Sequence, residues 1–247
     1  MKLSKAQANL HNQAMDLVNS DKKLSRDERF FVLENFHEGA TNMNGLAGAF
    51  FTPESIARCL TVEIMNGSHI IDLCAGIGAL SLQAFLNNSP RSITCLELNP
   101  EYYEVGKRVL PEAEWILADA LTHQFDREFD FAISNPPFGN IKTSEHKSNY
   151  TGSKFEYKII ERASQLAKHG AFIIPQASAG FEYSGVQHYK EVETTALKSF
   201  IRQTGIQLEM NCGIDLGEYR EDWKGVTPKC EIVTCDFTEL KKLRNVA

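Results

Sequence analysis

The sequence lacks three features that define particular protein classes: a long apolar run, closely paired cysteines and an excess of basic residues. No apolar run approaches the ~20 residues that a membrane-spanning helix needs. The N-terminal segment MKLSKAQANL has no continuous apolar core, which excludes a secretory signal. From these absences we expect a cytoplasmic protein that has no membrane partner.

The six cysteines form no C-x-x-C pair, and the seven histidines are scattered rather than set at metal-ligand spacing. Cys74, Cys95 and Cys235 lie inside apolar, strand-like runs. A buried free thiol behaves as a small apolar side chain and persists in a reducing compartment. We therefore expect free cysteines, no disulfide and no metal site.

Acidic residues outnumber basic residues by 32 to 26, and the formal net charge is -6. Proteins that bind nucleic acid tightly and without sequence preference usually carry a basic footprint. The charge balance excludes such a footprint over the whole protein, but it is compatible with a local basic groove. The length of 247 residues, 43% of them hydrophobic, suits one α/β domain with a small appendage.

The first 40 residues are polar-rich and predict an N-terminal helical appendage, 1–40. Ser25 and Glu28 have the spacing of a capping box ahead of an apolar helical face. These helices could simply pack on the core, or they could form a lid or a dimer contact. Residues 41–247 are predicted to form the main domain, and the chain could be a monomer or a homodimer.

Short apolar runs alternate with helical patterns through the rest of the chain. This alternation predicts a mostly parallel, seven-stranded sheet with helices on both faces. No long helix separates the last two strands, so we expect an antiparallel pair at one edge. The candidate strands are 69–74, 93–98, 114–118, 130–134, 170–175, 206–212 and 230–237. The candidate helices are 53–65, 78–86, 100–110, 154–168 and 192–204.

The stretch IIDLCAGIGALS predicts a buried strand that turns into a helix at Gly76 and Gly78. Glycines there permit a tight turn and the close approach of a ligand. Glu97, at the end of the next strand, could accept hydrogen bonds from both ribose hydroxyls. Asp72 would repel a pyrophosphate and attract an ammonium group. The alternative for Asp72 is that it only braces the turn.

Asp119 follows a third predicted strand, where its carboxylate could accept a hydrogen bond from an adenine amino group. The alternative is a turn or helix-cap residue. S-adenosyl-L-methionine meets these combined constraints, because it has a ribose, an adenine and a charged amine but no phosphate. The glycine loop and the acids therefore favour this molecule over a dinucleotide.

The stretch DFAISNPPFGN ends a strand with an amide, two prolines and an aromatic ring. Prolines donate no backbone hydrogen bond and hold the loop stiffly. The Asn135 side-chain oxygen and the Pro136 carbonyl could accept the two hydrogens of an exocyclic amine, which frees its lone pair for methylation. Phe138 offers a flat face for stacking a base. The alternative is an ordinary Pro-Pro turn with a packed ring.

The linear order of these motifs resembles that of the class I methyltransferases that use S-adenosyl-L-methionine. Within them it resembles the gamma arrangement of the N6-adenine DNA methyltransferases, over about residues 45 to 240. The resemblance implies a Rossmann-like fold, S-adenosyl-L-methionine as the cofactor and adenine N6 in DNA as the substrate. It implies the catalytic residues Asn135, Pro136, Pro137 and Phe138. It implies a cofactor site made of Phe51, Thr52, Pro53, Asp72, Cys74, Gly76, Gly78, Glu97, Leu98, Asp119, Ala120 and Asn135.

Two positions in that set also have a local explanation, because Thr52 and Pro53 fit the N-cap and the first residue of a helix. The motif NPPF is less specific for the substrate than for the fold. Enzymes that methylate adenine in RNA or a glutamine amide in protein share it, since all these substrates present a planar nitrogen.

The chain has no room for the large target-recognition domain that many DNA members carry. RNA adenine methylation is therefore kept as an alternative, as is a non-catalytic subunit that uses the fold to bind a partner. A dinucleotide oxidoreductase is the weakest alternative.

The segment 139–158 follows NPPF directly and carries four lysines against two glutamates, with interleaved aromatic residues. We predict that it contacts the nucleic-acid backbone and helps to hold an extruded base. A solvated loop is the alternative. The expected contacts are Lys142, Lys147, Tyr150 and Lys154. The segment 213–229, which includes Arg220, Trp223 and Lys224, is a second candidate.

Overall fold

A central sheet organises the computed structural model, which describes residues 3–37 and 50–240. Its first five strands are β1 (His69–Asp72), β2 (Ser92–Glu97), β3 (Glu114–Leu117), β4 (Phe129–Ser134) and β5 (Ala167–Pro175). The later strands are β6 (Phe181–Glu182), β7 (Lys190–Glu191), β8 (Glu209–Met210) and β9 (Cys230–Asp236). In the described residues, seven strands form one sheet in the order β3-β2-β1-β4-β5-β9-β8, and β6 and β7 form a separate hairpin.

Strand directions agree with the fold expected from the sequence. The first five strands pair in parallel, whereas β9 pairs antiparallel with both β5 and β8. The mostly parallel sheet with an antiparallel edge is thus confirmed. Because parallel strands end at the same edge, the segments that follow β1 to β5 meet there.

Helices cover both faces of this sheet. They are α1 (Lys5–Asn19), α2 (Arg26–Asn35), α3 (Glu54–Leu60), α4 (Ala79–Asn88), α5 (Pro100–Val109), α6 (Phe155–Leu166), α7 (Gln176–Ala179) and α8 (Thr195–Thr204), with 3-10 turns at Thr61–Glu63 and Leu216–Asp222. Alternate strand residues point to opposite faces. Accordingly, Ile70 and Ile133 pack in one core cluster, and their neighbours Ile71 and Ala132 pack in the other. Among the described residues, no helix is long and apolar enough to span a membrane.

The two N-terminal helices dock on the main domain rather than forming a body of their own. Both begin with a capping box, including the one expected at Ser25. Arg29 makes two hydrogen bonds of 2.8 Å to the Glu112 carboxylate, and Arg108 donates to the carbonyls of Val18 and Ser20. These contacts favour the packing interpretation over a mobile lid. The boundary expected near residue 40 lies outside the described residues.

Two predicted elements are shorter than the apolar pattern suggested. The strand expected over 206–212 is reduced to Glu209–Met210. At its C-terminal end the strand stops before Asn211, whose side-chain oxygen accepts hydrogen bonds from the backbone N–H groups of Gly213 and Ile214 and so turns the chain. The helix expected over 53–65 tightens into a 3-10 turn at Thr61, whose hydroxyl donates to the Arg58 carbonyl.

The hairpin β6–β7 and helix α7 were not predicted. Their strands have only two residues each, too few to show an alternating pattern. They follow β5 at the same sheet edge as the NPPF loop, and so they add to the surroundings of that loop.

Trp115 of β3 packs directly against two glycines that shape the glycine loop and its supporting helix. A Cβ atom on Gly78 would lie 3.2 Å from the indole ring, and one on Gly106 in α5 would overlap that ring. The indole N–H donates to the Leu110 carbonyl at 3.0 Å, which fixes the ring in place. The absence of both side chains thus lets the ring support the end of β1.

Gly106→Ala should destabilise the protein, although alanine is the better helix former. Helix propensity alone favours alanine by about 0.5–1 kcal/mol. The overlap with Trp115 should outweigh this, giving a net loss of about 1–3 kcal/mol in the free energy of unfolding, measured by urea denaturation. In a Trp115→Leu background the same substitution should cost less. A stabilised Gly106→Ala protein would contradict the packing described.

Candidate active site

A cavity of about 370 Å³ opens at the carboxyl edge of the parallel strands. Its volume lies in the range of ~300–1,000 Å³ that is usual for small-molecule sites. Nine of the expected cofactor residues line its wall: Phe51, Thr52, Cys74, Gly76, Glu97, Leu98, Asp119, Ala120 and Asn135. Two of the expected catalytic residues, Asn135 and Pro137, also line it. Pro53, Asp72, Gly78, Pro136 and Phe138 are not part of this wall.

The glycine loop fits the turn inferred from the sequence. Gly76 and Gly78 have φ values of 55° and 92°, in the left-handed region that disfavours other residues. A Cβ atom on Gly76 would lie 3.5 Å from the Phe51 ring, so this ring closes on the loop backbone. Gly76 borders the cavity, whereas Gly78 is the N-cap of α4 and packs on Trp115.

Glu97 is held by backbone hydrogen bonds at both carboxylate oxygens. Its Oε2 accepts from the N–H of Gly76 at 2.7 Å, and its Oε1 accepts from the N–H of Asn99 at 2.8 Å. Burial raises the pKa of this carboxyl above its usual value, while these N–H groups oppose the rise. Each oxygen keeps a further acceptor position that could bind a ligand hydroxyl.

Asp119 braces a turn and also borders the cavity, and its contact with an adenine amino group stays a prediction. Its Oδ1 accepts from the N–H of Leu121 at 2.9 Å and so braces the turn after β3. Its Oδ2 lies at the cavity and accepts from the Ser144 hydroxyl at 2.7 Å. Residues 141–144 therefore form part of the cavity wall, which the sequence did not indicate.

Asp72 does not reach the cavity, contrary to the direct role with an ammonium group expected from the sequence. Its side chain is fully buried, and its Oδ2 accepts from the Ser81 hydroxyl at 2.8 Å. Ser81 lies in α4, so this bond ties the end of β1 to the helix after the glycine loop. Burial raises the pKa of Asp72 to about 7. The bracing alternative describes this geometry.

Asn135 is the most constrained side chain of the NPPF loop. Its Nδ2 donates to the Phe50 carbonyl at 3.1 Å and to the Thr52 hydroxyl at 2.9 Å. The Phe50 carbonyl can only accept, so the amide nitrogen must face it. The amide oxygen is then left buried and without a hydrogen-bond partner among the described residues. Such a group is uncommon in proteins, and beside the cavity wall this oxygen is placed to accept a hydrogen bond from a ligand.

The remaining residues of the loop have distinct surroundings. Pro136 is buried, Pro137 lines the cavity, and Phe138 is half-buried against Phe50, with 6.4 Å between ring centroids. The expected helix-cap role of Thr52 is wrong. The N-cap of α3 is Pro53, and the Thr52 hydroxyl instead accepts a hydrogen bond from the Asn135 amide nitrogen.

The nucleic-acid contacts expected after NPPF are only partly accessible. Tyr150 is 4% exposed, and its ring packs edge-on against Tyr157 and Phe200 at 5.5 Å, so it cannot stack on an extruded base. Lys154 donates to the Ser178 hydroxyl and lies 3.6 Å from the Glu156 carboxylate. In the second candidate segment, Trp223 belongs to the core. The aromatic signal was misleading because these rings belong to buried faces.

Two lysines from the expected set do remain exposed. Lys142 borders the cavity, and Lys147 lies five residues further along the same loop. Among the residues that the structure describes, Lys142 is also the only cation in the cavity wall.

Comparison with known proteins gives a matching family model, the methyltransferase small domain, over residues 51–199. A tRNA1(Val) (adenine(37)-N6)-methyltransferase of Aliivibrio fischeri strain MJ11 is 27% identical over 159 residues, which cover 59% of this chain and 66% of that protein. A protein of the same name from Glaesserella parasuis is 28% identical over 123 residues, 44% of this chain and 52% of that protein. The chain thus matches less than two thirds of the length of these relatives.

Two solved structures share the fold. A type I restriction-modification methyltransferase subunit from Streptococcus thermophilus superposes with a TM-score of 0.57 at 17% identity, covering 85% of this chain and 48% of its own. A Listeria monocytogenes protein assigned as a class I S-adenosylmethionine-dependent methyltransferase has the same TM-score at 13% identity, covering 94% of this chain and 78% of its own. At these identities the likeness establishes the fold alone.

The cavity is compatible with the cofactor of this fold class, S-adenosyl-L-methionine. Glu97 and Asp119 present carboxylate oxygens to the ligand space, which suits hydroxyl and amino donors. The same oxygens would repel the pyrophosphate of a dinucleotide.

Asp72→Asn should change how stability depends on pH. The unfolded Asp72 ionises near its ordinary pKa of 3.8, whereas the folded residue stays protonated to about pH 7. Unfolding therefore releases a proton between these values, and the wild-type stability falls as pH rises through that window. Relative to wild type, Asp72→Asn should gain about 2 kcal/mol between about pH 5.5 and about pH 8.5, measured by urea unfolding. Parallel stability–pH curves for the two proteins would contradict the buried position of Asp72.

Proposed function

The chain belongs to the methyltransferase small domain family and uses S-adenosyl-L-methionine, and from that premise we propose that it methylates the exocyclic N6 amine of adenine in RNA, with a tRNA as the substrate. The observation that carries the chemistry is the unpartnered oxygen of Asn135 in the NPPF loop. The relatives named as tRNA adenine-N6 methyltransferases support RNA. They favour RNA over the DNA substrate that the motif order suggests.

The catalytic problem is to free the lone pair of an aromatic amine, which is delocalised into the ring. The Asn135 oxygen can accept one amine hydrogen, and the Pro136 carbonyl is proposed to accept the other. These two bonds would favour a pyramidal, sp³-like nitrogen, whose lone pair is localised rather than shared with the ring and can point towards the reacting methyl. S-adenosyl-L-methionine supplies an electrophilic methyl group when it is bound.

The two groups that accept from the Asn135 amide nitrogen fix which end of the amide faces the substrate. Because Phe50 and Thr52 engage the amide nitrogen, the oxygen cannot exchange places with it. The side chain therefore presents an acceptor without reorganisation at the moment of reaction. As the N–CH3 bond forms and the S–CH3 bond breaks, the cofactor would leave as the neutral thioether S-adenosylhomocysteine and the nitrogen would become cationic. A cationic aromatic amine is strongly acidic and gives its proton to solvent water, so this scheme needs no strongly basic side chain.

RNA contact is proposed to involve the exposed lysines Lys142 and Lys147, next to the cavity. Phe138, half-buried on Phe50, is proposed to stack on the target base. Single-stranded loops present unstacked bases to such rings, and the anticodon loop of a tRNA is a loop of this kind. Tyr150 is buried and Lys154 donates to the Ser178 hydroxyl, so neither is proposed as an RNA contact.

The proposed substrate can be tested with methyl-tritiated S-adenosyl-L-methionine. The protein is incubated separately with tRNA from an unmodified source and with unmethylated double-stranded DNA, and each product is digested to nucleosides. Label in N6-methyladenosine from tRNA is expected, and excess S-adenosylhomocysteine should suppress it. Label only in N6-methyldeoxyadenosine would restore the DNA substrate. Label in neither sample would contradict the proposal.

A further inference from the structure

Glu156 is a buried carboxylate that lies immediately behind the NPPF loop. It belongs to the first turn of α6 and its side chain has no exposed surface. Its Oε2 accepts from the N–H of Gly139 at 3.1 Å, and its Oε1 accepts from the Ser178 hydroxyl at 2.8 Å. Gly139 is the residue that follows Phe138, so this carboxylate holds the end of the catalytic loop.

The buried Glu156 carboxylate has polar and charged partners that offset the cost of removing it from water. An unpaired carboxylate would be expensive in the interior. Here Lys154 lies 3.6 Å from the carboxylate and donates to the same Ser178 hydroxyl at 3.0 Å. The Lys154 ammonium, the Ser178 hydroxyl and the Glu156 carboxylate thus form one network that ends at the Gly139 backbone.

The backbone of Gly139 is held on both sides of the residue, and its conformation fixes the direction in which its N–H points towards Glu156. Gly139 has a φ of 89°, and its carbonyl accepts from the N–H of Phe155 at 2.9 Å. Asn140 then pairs with Lys154 in an antiparallel bridge. The chain therefore leaves the NPPF loop through a left-handed turn at Gly139. Both the N–H and the carbonyl of this residue are hydrogen-bonded to the start of α6.

We propose that Glu156 is a positioning residue for methyl transfer: by holding the Gly139 N–H, it sets the positions of the Pro136 carbonyl and the Phe138 ring against the target amine. The inference rests on the proposed methylation of an adenine amine and holds for RNA or DNA. Glu156 does not line the cavity, so it acts through the loop and not through the cofactor.

A second buried glutamate provides a matched control. Glu161, five residues later in α6, is 1% exposed and anchors the other end of the same loop. Its carboxylate accepts from the Ser148 hydroxyl at 2.5 Å and from the N–H groups of Asn149 and Tyr150 at 2.7 and 3.1 Å. It shares burial, helix and chemistry with Glu156, but the backbone N–H groups that it binds lie more than ten residues after the NPPF motif, whereas Glu156 binds the residue next to that motif.

The test compares Glu156→Gln with Glu161→Gln in three measurements: S-adenosylhomocysteine affinity by calorimetry, the single-turnover methylation rate at saturating nucleic acid, and urea unfolding. Glu156→Gln should lower the rate about ten- to a hundredfold, as expected for a misplaced reacting group. Its S-adenosylhomocysteine affinity should stay within about threefold of wild type. Glu161→Gln should keep the wild-type rate within about threefold at a similar loss of stability.

Two results would overturn the inference: an unchanged rate in Glu156→Gln, or equal rate losses in both variants that follow their stability. Ser178→Ala is the milder variant, and it should lower the rate in the same direction if Glu156→Gln does not fold. Amide hydrogen exchange of residues 138–140 gives a separate readout, and it should accelerate in Glu156→Gln but not in Glu161→Gln. Unchanged exchange overturns the positioning role, whereas a wild-type protein that methylates no adenine overturns the proposed function itself.

Discussion

The candidate site depends on the way the Asn135 amide is held. Both of its observed hydrogen bonds use the nitrogen, and both partners lie in the short segment before α3. The oxygen is left buried and unpartnered in the described part of the chain, which costs free energy unless a ligand donor arrives. The segment at residues 50–52 therefore does more than close over the cofactor cavity, because it also sets which end of the amide meets the substrate.

Buried glutamates organise the loops around this site. Glu156 and Glu161 hold the two ends of the loop after NPPF. Glu231, at the start of β9, accepts from the N–H groups of Tyr183 and Ser184 in the segment after β5, each at 2.9 Å. In each case a carboxylate from a regular element accepts from backbone N–H groups of an irregular segment, which has no regular hydrogen-bond ladder of its own. Rigid elements thus anchor these irregular segments, and only the Glu156 contact lies beside the NPPF motif.

The fold and the cofactor edge were predictable because their signals are local. A buried strand that enters Gly76 and Gly78 specifies a strand–turn–helix unit, and an acid such as Glu97 at the next strand end lies at the same sheet edge. The hairpin at Phe181–Glu182 and Lys190–Glu191 was missed because two-residue strands have no periodicity. These differences do not alter the expected mostly parallel, seven-stranded sheet with an antiparallel edge.

The errors in the site have a common physical origin, which is side-chain burial set by tertiary packing. Tyr150 and Trp223 appear in polar stretches that resemble binding loops, yet both rings fill the core. Glu156 appears to be an ordinary helix-surface acid, because charged residues are almost never fully buried without partners. Its partner Ser178 is 22 residues away in the sequence, so no local pattern could reveal the contact.

The most direct test of the account is the single-turnover rate of Asn135→Ala, measured beside its affinity for S-adenosylhomocysteine. Asn140→Ala, an exposed asparagine of the same loop, is the matched control. We expect Asn135→Ala to lose at least about a hundredfold in rate while its affinity changes less than about tenfold, and Asn140→Ala to behave as wild type. A rate for Asn135→Ala close to that of wild type would contradict the role assigned to the amide oxygen.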